Sequence, residues 1–408
     1  MKSLSLSTKI LIGLILGIFA GLALAGSTGF IKTWITPFGT IFLNLIKMII
    51  VPLVFSSLLV GAASVGDVKK LGRMGGKTMG YYLITTAFAV TLGLVLGNLI
   101  DPGIGMSVPE GAKYAAGTPV PASQVIINLF PANPLSALVN GTMLQIIVFA
   151  LFLGVGATLV GEKAKPVIAF FDGFAEITYK ITGIVMMVAP IGVFALITPV
   201  VAANGPSVLL PLLKVIIAVY VGCILHAAVI YSLAVKTLGN TSPIKFFNGV
   251  FPAMVVAFTT CSSSATLPVT MKSVEDNLGV SKEVASFVLP LGATVNMDGT
   301  ALYQGICALF VAQVYGIDLT MGQQITVVMT ATLASIGTAG VPGAGLIMLT
   351  MVLQSIGLPL EAVALVAGID RILDMARTTV NITGDASAAV IVDYTEKKKV
   401  AKAGGIAA

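Results

Sequence analysis

The chain has 408 residues, of which 57% are hydrophobic and 10% charged, with a mean hydropathy of +1.02. Soluble domains carry roughly a quarter charged residues, so this composition excludes a water-soluble fold. The net charge of +6 fits basic residues gathered in the cytoplasmic loops of a membrane protein better than a nucleic-acid partner.

Segments 10–25, 42–63, 81–100 and 209–235 approach or exceed the roughly 20 apolar residues that cross a bilayer as helix. In chain order the sequence predicts spans at 9–26, 35–65 and 78–100, an interrupted fourth element at 124–160, a long fifth at 166–201 and a sixth at 207–235. Between 101 and 123 lies a Gly- and Pro-rich loop without a periodic apolar face. Lys2, an apolar run and Ala23-Leu24-Ala25 imitate a cleavable signal peptide. The run is long, and its removal would leave the next basic loops on the wrong side, so it is read as a retained span. Lys2 and Lys9, the 69–77 cluster, Lys163 and Lys165, Lys236 and Lys245, Lys272 and Lys282, and Lys397, Lys398, Lys399 and Lys402 fall on alternate connections. Both termini of this multi-pass chain are therefore expected on the cytoplasmic side. The three cysteines, Cys223, Cys261 and Cys307, lie in apolar or small-residue segments and do not form a disulfide framework. His226, the only histidine, sits on an apolar span and reads as packing.

The last third is organised differently. Apolar stretches at 243–278 and 322–356 are broken by Ser/Thr-rich 259–268 and by Gly-rich 335–345. Irregular backbone at membrane depth survives only where protein or a wet cavity satisfies its amides. Two such breaks in corresponding places point to inverted repeats and a midplane site; both are read as re-entrant helical hairpins. Between them a seventh span, 283–316, is interrupted at Asn296-Met297-Asp298-Gly299-Thr300, where local unwinding is expected.

The eighth span, 361–392, carries Asp370, Asp374, Arg377, Thr378, Asn381 and Asp385. At roughly 100° per residue they share an arc of about 100°. Charges at membrane depth are expensive and functional by default. A structural Asp374–Arg377 ion pair would explain two of these groups but not the rest. Carboxylates and amide oxygens suit hard cations, and an arginine fork suits a carboxylate ligand. Together they imply an amino acid with an extra carboxylate, bound with small cations.

At the Ser262-Ser263-Ser264 tip, the Asn296–Thr300 motif, the 335–345 tip and the run 370–381, the sequence closely resembles the glutamate transporter family of dicarboxylate/amino acid:cation symporters. The likeness covers essentially the whole chain. It implies an all-α membrane fold of eight transmembrane helices plus two re-entrant hairpins, with inverted repeats and elevator-type movement, assembled as a homotrimer in lipid. Segments 1–76 and 124–205 would be scaffold and trimerisation elements, 77–123 and 206–395 the transport domain, and 396–408 a cytoplasmic tail. The implied function is sodium-coupled import of L-aspartate or L-glutamate; a proton-coupled glutamate/aspartate or C4-dicarboxylate symporter is the alternative, and a channel or an enzyme fits less well.

By the same resemblance Arg377 would grip the side-chain carboxylate and Asp374 the ammonium. Thr378, Asn381, Thr300, Ser262, Ser263, Val341 and Gly345 would complete the pocket. Three Na+ sites are implied: Gly292 and Asn296 with Asn381 and Asp385; Tyr82, Thr85, Thr86, Asn296 and Asp298; and Thr294, Ser335, Ile336 and Thr338. Gln304 stands where proton-coupled animal members have a glutamate, so no proton is expected through that position. Cys261 stands where some relatives have arginine, and Arg371, with Asp370, is placed to supply a gating charge at that tip or else to form an ordinary ion pair.

Overall fold

The computed structural model describes residues 6–63, 71–106, 127, 130–205, 209–336, 340 and 343–403. Among these the chain is helical, with no strand. The helices are α1 (Leu6–Ala23), α2 (Thr36–Ala63), α3 (Leu71–Ile100), α4 (Pro134–Asn140), α5 (Met143–Val160), α6 (Lys165–Met187), α7 (Ala189–Asn204), α8 (Leu209–Leu225), α9 (Ser232–Thr237), α10 (Pro243–Thr260), α11 (Ser263–Lys272), α12 (Lys282–Val295), α13 (Asp298–Val314), α14 (Met321–Ala334), α15 (Ala344–Ser355), α16 (Val363–Ala367) and α17 (Asp370–Ala403).

The outside is apolar, and a smaller set of polar and charged side chains is buried within a largely apolar core. Leu159 is 83% exposed and Ile244 75%, whereas Asn296, Asp298 and Arg377 are fully buried. Water does not tolerate so many bare apolar side chains, and hydrocarbon does. Among the described residues two continuous helical stretches, Arg73–Ile100 and Leu209–Thr237, are long and apolar enough to cross a bilayer, and Val148–Val185 with Ala189–Ala202 is a helix pair bent by 56° that has that length and composition only when taken together.

Several expected spans are subdivided. The long fifth span ends at Met187 and restarts as α7 at Ala189, because Pro190 has no N–H to continue the ladder and fits the first turn of a new helix. Before α17, Gly368 and Ile369 turn the chain, so the expected span 361–392 divides into α16 and α17. The sixth span is continuous but changes pitch: His226–Tyr231 form a π turn between α8 and α9. As expected, the seventh is interrupted, with Asn296 extended between α12 and α13.

In packing, α1 and α2 lie against α7, and α2 also against α5 and α6; α3, α10, α12 and α13 gather round α17 or each other. The two groups touch directly where α12 meets α2, and they are bridged where α14 meets α5, α15 meets α2 and α5, and α16 meets α7.

Beyond the apolar part of α17, two ionic clamps tie helix ends together. Arg73 and Lys77 at the start of α3 hold Glu396, Lys77 at 2.9 Å. Lys397 pairs with Asp393 at 2.6 Å, and Asp393 accepts from Ser281 N and Oγ ahead of α12. The hydrogen bond from Arg73, reinforced by Lys77, pulls the Glu396 carboxyl from 4.5 down to about 2. A depressed carboxyl stabilises the fold above its unfolded value and loses that contribution as pH falls through the folded one. Glu396→Gln is therefore expected to lower the melting temperature in detergent at pH 7, and its deficit against wild type should close between pH 4.5 and about 2. A deficit that stays constant with pH would mean the clamp is not ionic.

Candidate functional site

All six polar residues of the α17 stripe are buried. Asp370 opens the helix, where the positive end of the dipole favours a carboxylate. Seven residues on, Arg377 Nη1 donates to its Oδ1 at 2.8 Å. Arg377 Nη2 lies 3.0 Å from Asp374 Oδ1, an ion-pair distance without hydrogen-bond alignment, and Nε has no hydrogen-bond partner either. The guanidinium stacks on Tyr303, 4.1 Å from the ring centroid. Its other side meets Gly345, where a Cβ would stand 2.8 Å from Cζ and Nη2; any side chain there would displace the fork.

The two broken segments meet at their tips. Cys261 takes a left-handed conformation, φ 53°, and ends α10. Ser262 caps α11 and donates from Oγ to Gly340 O at 2.6 Å, and Ser264 N reaches the same oxygen at 3.2 Å. Arg371 Nη2 donates to the carbonyls of Thr259 and Thr260 at 3.3 and 3.4 Å, serving orphan acceptors at the α10 C-terminus. Below the tips, Ser263, Thr300, Gly345, Asp374, Thr378 and Asn381 line a cavity of about 10 Å³ together with Cys261, Met297, Gly340, Ala344 and Met348. That is room for about one water, so an amino acid requires the tips or Arg377 to move.

Beneath this pocket lie two carboxylates. Asp385 Oδ1 accepts from Asn296 Nδ2 at 2.9 Å. Asn296 Nδ2 also reaches Asn381 O, and Asn381 Oδ1 accepts from Gly299 N. A Cβ on Gly292 would fall 2.5 Å from both Asp385 Oδ1 and the Tyr82 hydroxyl. Asp298 Oδ1 accepts from Thr86 Oγ1 at 2.6 Å; Oδ2 accepts from Tyr231 Oη at 2.8 Å and faces His226 Nε2 at 3.2 Å. Among the described residues the buried Asn296 Oδ1 has no hydrogen-bond partner. Among the described residues neither aspartate has a Lys or Arg within ion-pair distance.

The sequence model of the Sodium:dicarboxylate symporter family matches residues 6–395. The chain belongs to that family. It is a membrane transporter, not an enzyme. A proton/sodium-glutamate symport protein of Geobacillus stearothermophilus is 41% identical, covering 98% of this chain and 97% of that one. The proton/glutamate-aspartate symporter of Escherichia coli (strain K12) is 38% identical over 97% and 93%. Excitatory amino acid transporter 2 of Rattus norvegicus is 36% identical over 89% and 73%.

Set against the sequence expectations for this family member, the structure draws Asp374, Thr378, Asn381, Thr300, Ser263 and Gly345 round one cavity, with Arg377 behind Gly345 and Asp374, Asp370 bonded to Arg377, and Ser262 bracing the tip. Gly292, Asn296, Asn381 and Asp385 come together, as do Thr86 and Asp298. Tyr82 donates to Val288 O and sits against Gly292 beside Asp385, and Thr85 donates to Tyr82 O. Among the described residues Thr294 bonds to Leu291, Ser335 to Thr332 and Ala331, and Ile336 to Leu333, and no hydrogen bond joins the three to one another. Thr338 and Val341 lie outside the described residues. The sequence reading missed Tyr303 under the guanidinium, and it took His226 for packing when its ring faces Asp298.

Proposed function

We propose that this transporter is a sodium-coupled symporter that imports acidic amino acids, L-aspartate and/or L-glutamate. The observation that carries this reading is the pair of buried aspartates, Asp298 and Asp385, whose described partners are neutral donors and one histidine. A carboxylate at membrane depth must be neutralised, and the oxygens beside them belong to hydroxyls, amides and carbonyls, the ligands of hard cations. Above them, an arginine with Nε and Nη2 free of hydrogen bonds offers a fork for a side-chain carboxylate, and Asp374 offers an anion for the ammonium.

In this mechanism sodium binds first, since it offsets excess negative charge below the pocket. The amino acid then competes with Asp370 and Asp374 for Arg377, and the second tip closes over it. Arg371 latches the first tip meanwhile. Segments 77–123 and 206–395 move as an elevator against 1–76 and 124–205, in a homotrimer embedded in the cell membrane with both termini cytoplasmic. A half-loaded carrier keeps unpaired charge, whose desolvation holds it on one side. The third cation position is assigned to Thr294, Ser335, Ile336 and Thr338 on the resemblance alone.

Coupling to protons is the second reading, favoured by a specific observation: protonating Asp298 or Asp385 would neutralise each as well as sodium does, and the names of two relatives include protons. Uptake of radiolabelled aspartate into proteoliposomes, with sodium and pH gradients imposed separately, distinguishes them. Accumulation driven by sodium at symmetric pH is expected. Accumulation that needs only a pH gradient would refute sodium coupling, and succinate competing as well as glutamate would refute amino-acid selectivity.

A further inference from the structure

We propose that His226 and Tyr231 are positioning residues for Asp298 that set the cation affinity of the site built round it. The inference rests on Asp298 being a cation ligand. It begins with backbone geometry. His226–Tyr231 form a π turn between two α-helical stretches, and π turns inside helices mark functional sites more often than chance. In an α-helix, residues five apart point about 140° away from each other. The i→i+5 pattern of a π turn stacks them instead. His226 and Tyr231 are five apart, and their rings meet edge to face with centroids 4.9 Å apart. The wide turn thus delivers two polar side chains to one carboxylate oxygen, where a regular helix would deliver one.

Asp298 Oδ2 accepts from Tyr231 Oη at 2.8 Å and lies 3.2 Å from His226 Nε2, and among the described residues Oδ1 accepts from Thr86 alone. A carboxylate offers about four lone-pair sites; the one left over is on Oδ1, the oxygen nearest Thr86. Among the described residues His226 Nδ1 has no hydrogen-bond partner, and because a carboxylate oxygen only accepts, Nε2 is assigned the N–H that donates to Asp298. Neutral donors on one oxygen fix the plane of Asp298 while leaving its charge for a cation on the other. A lysine or arginine in the same position would cancel that charge and close the site. Packing alone does not account for this arrangement, because placing an imidazole and a phenol fully buried costs their hydration unless a partner returns it; Asp298 is the nearer of two partners of the Tyr231 hydroxyl, the other being Val380 O at 3.3 Å, and it faces His226 Nε2. Removing an outer partner of a metal ligand costs 10- to 100-fold in metal affinity.

The test is sodium-dependent thermal stabilisation of the purified full-length protein in detergent without amino acid, titrated with NaCl against choline chloride, for wild type and for Asp298→Asn, His226→Phe, His226→Gln and Tyr231→Phe. His226→Phe keeps the ring volume and loses the donor; it is expected to raise half-saturating sodium by about 10-fold or more. His226→Gln, which restores an N–H, should recover most of that loss. Tyr231→Phe should shift in the same direction, and its loss of a single hydroxyl keeps the test alive if the histidine variants fail to fold. In an Asp298→Asn background His226→Phe should add nothing. Wild-type half-saturation in both His226→Phe and Tyr231→Phe, with the response lost in Asp298→Asn, would overturn the positioning role while leaving the cation site standing. A sodium response unchanged by Asp298→Asn would overturn the underlying reading instead.

Discussion

Arg377→Cys abolishes uptake of aspartate and glutamate and admits serine or cysteine: that is the expected result of the largest single perturbation this site allows. The guanidinium is fully buried, bonded to Asp370, paired with Asp374 and stacked on Tyr303. Removing it has two consequences of different sign for different substrates. A side-chain carboxylate loses a charge-assisted fork and meets two bare aspartates, so its apparent affinity should fall by at least about 100-fold, or about 2.8 kcal/mol. A zwitterion without that carboxylate meets no such repulsion and still finds Asp374 for its ammonium. The protein itself loses the counter-ion of two buried carboxylates, a change of about 3–5 kcal/mol. Arg377→Cys together with Asp370→Asn should therefore recover melting temperature without recovering aspartate uptake. Arg377→Lys is expected to rescue poorly, because a point charge cannot present a bidentate fork or the planar stack on Tyr303. Competition of radiolabelled serine and aspartate reads all of these; undiminished aspartate transport by Arg377→Cys would remove Arg377 from the binding site.

How much of this was legible beforehand depends on whether the information is local. The α17 stripe was legible because charged residues at helical spacing in apolar surroundings have only one explanation, an inward-facing polar seam. The two tips and the 296–297 break were legible too, since Ser, Gly and Asn weaken a helix by their own chemistry. The subdivision of the fifth span was not. Pro52, Pro252, Pro268 and Pro290 lie inside helices without ending them, whereas Pro190 starts one, and nothing in the neighbouring residues separates the two behaviours. Tyr303 lies on α13, which is buried on every side, so periodicity assigns it no face. The π turn at 226–231 leaves no local signature: its polar side chains find their partner at Asp298, dozens of residues away. An isolated histidine in an apolar helix reads as packing until that partner is seen.

The second large effect is expected from Asp385→Asn and Asp298→Asn, each of which should remove sodium-dependent stimulation of uptake and of thermal stability. Both substitutions keep shape and change charge. At Asp385 an asparagine oxygen can still accept from Asn296 Nδ2, as Oδ1 does now. At Asp298 an asparagine oxygen can take the bond from Tyr231, and its amide can turn toward the Thr86 hydroxyl, which accepts as well as donates. Both substitutions therefore keep these hydrogen bonds, and what disappears is the negative charge that a hard cation requires beside hydroxyl and carbonyl oxygens. The same pair separates sodium from proton coupling, because an asparagine resembles an aspartic acid that never gives up its proton. Were protons the driving ion, the variants would mimic a permanently loaded carrier and retain aspartate exchange while losing accumulation driven by a pH gradient. Were sodium the driving ion, they would exchange poorly at every pH, since the amino acid would arrive at a site lacking its cation, and the sodium response would vanish from binding as well as from flux.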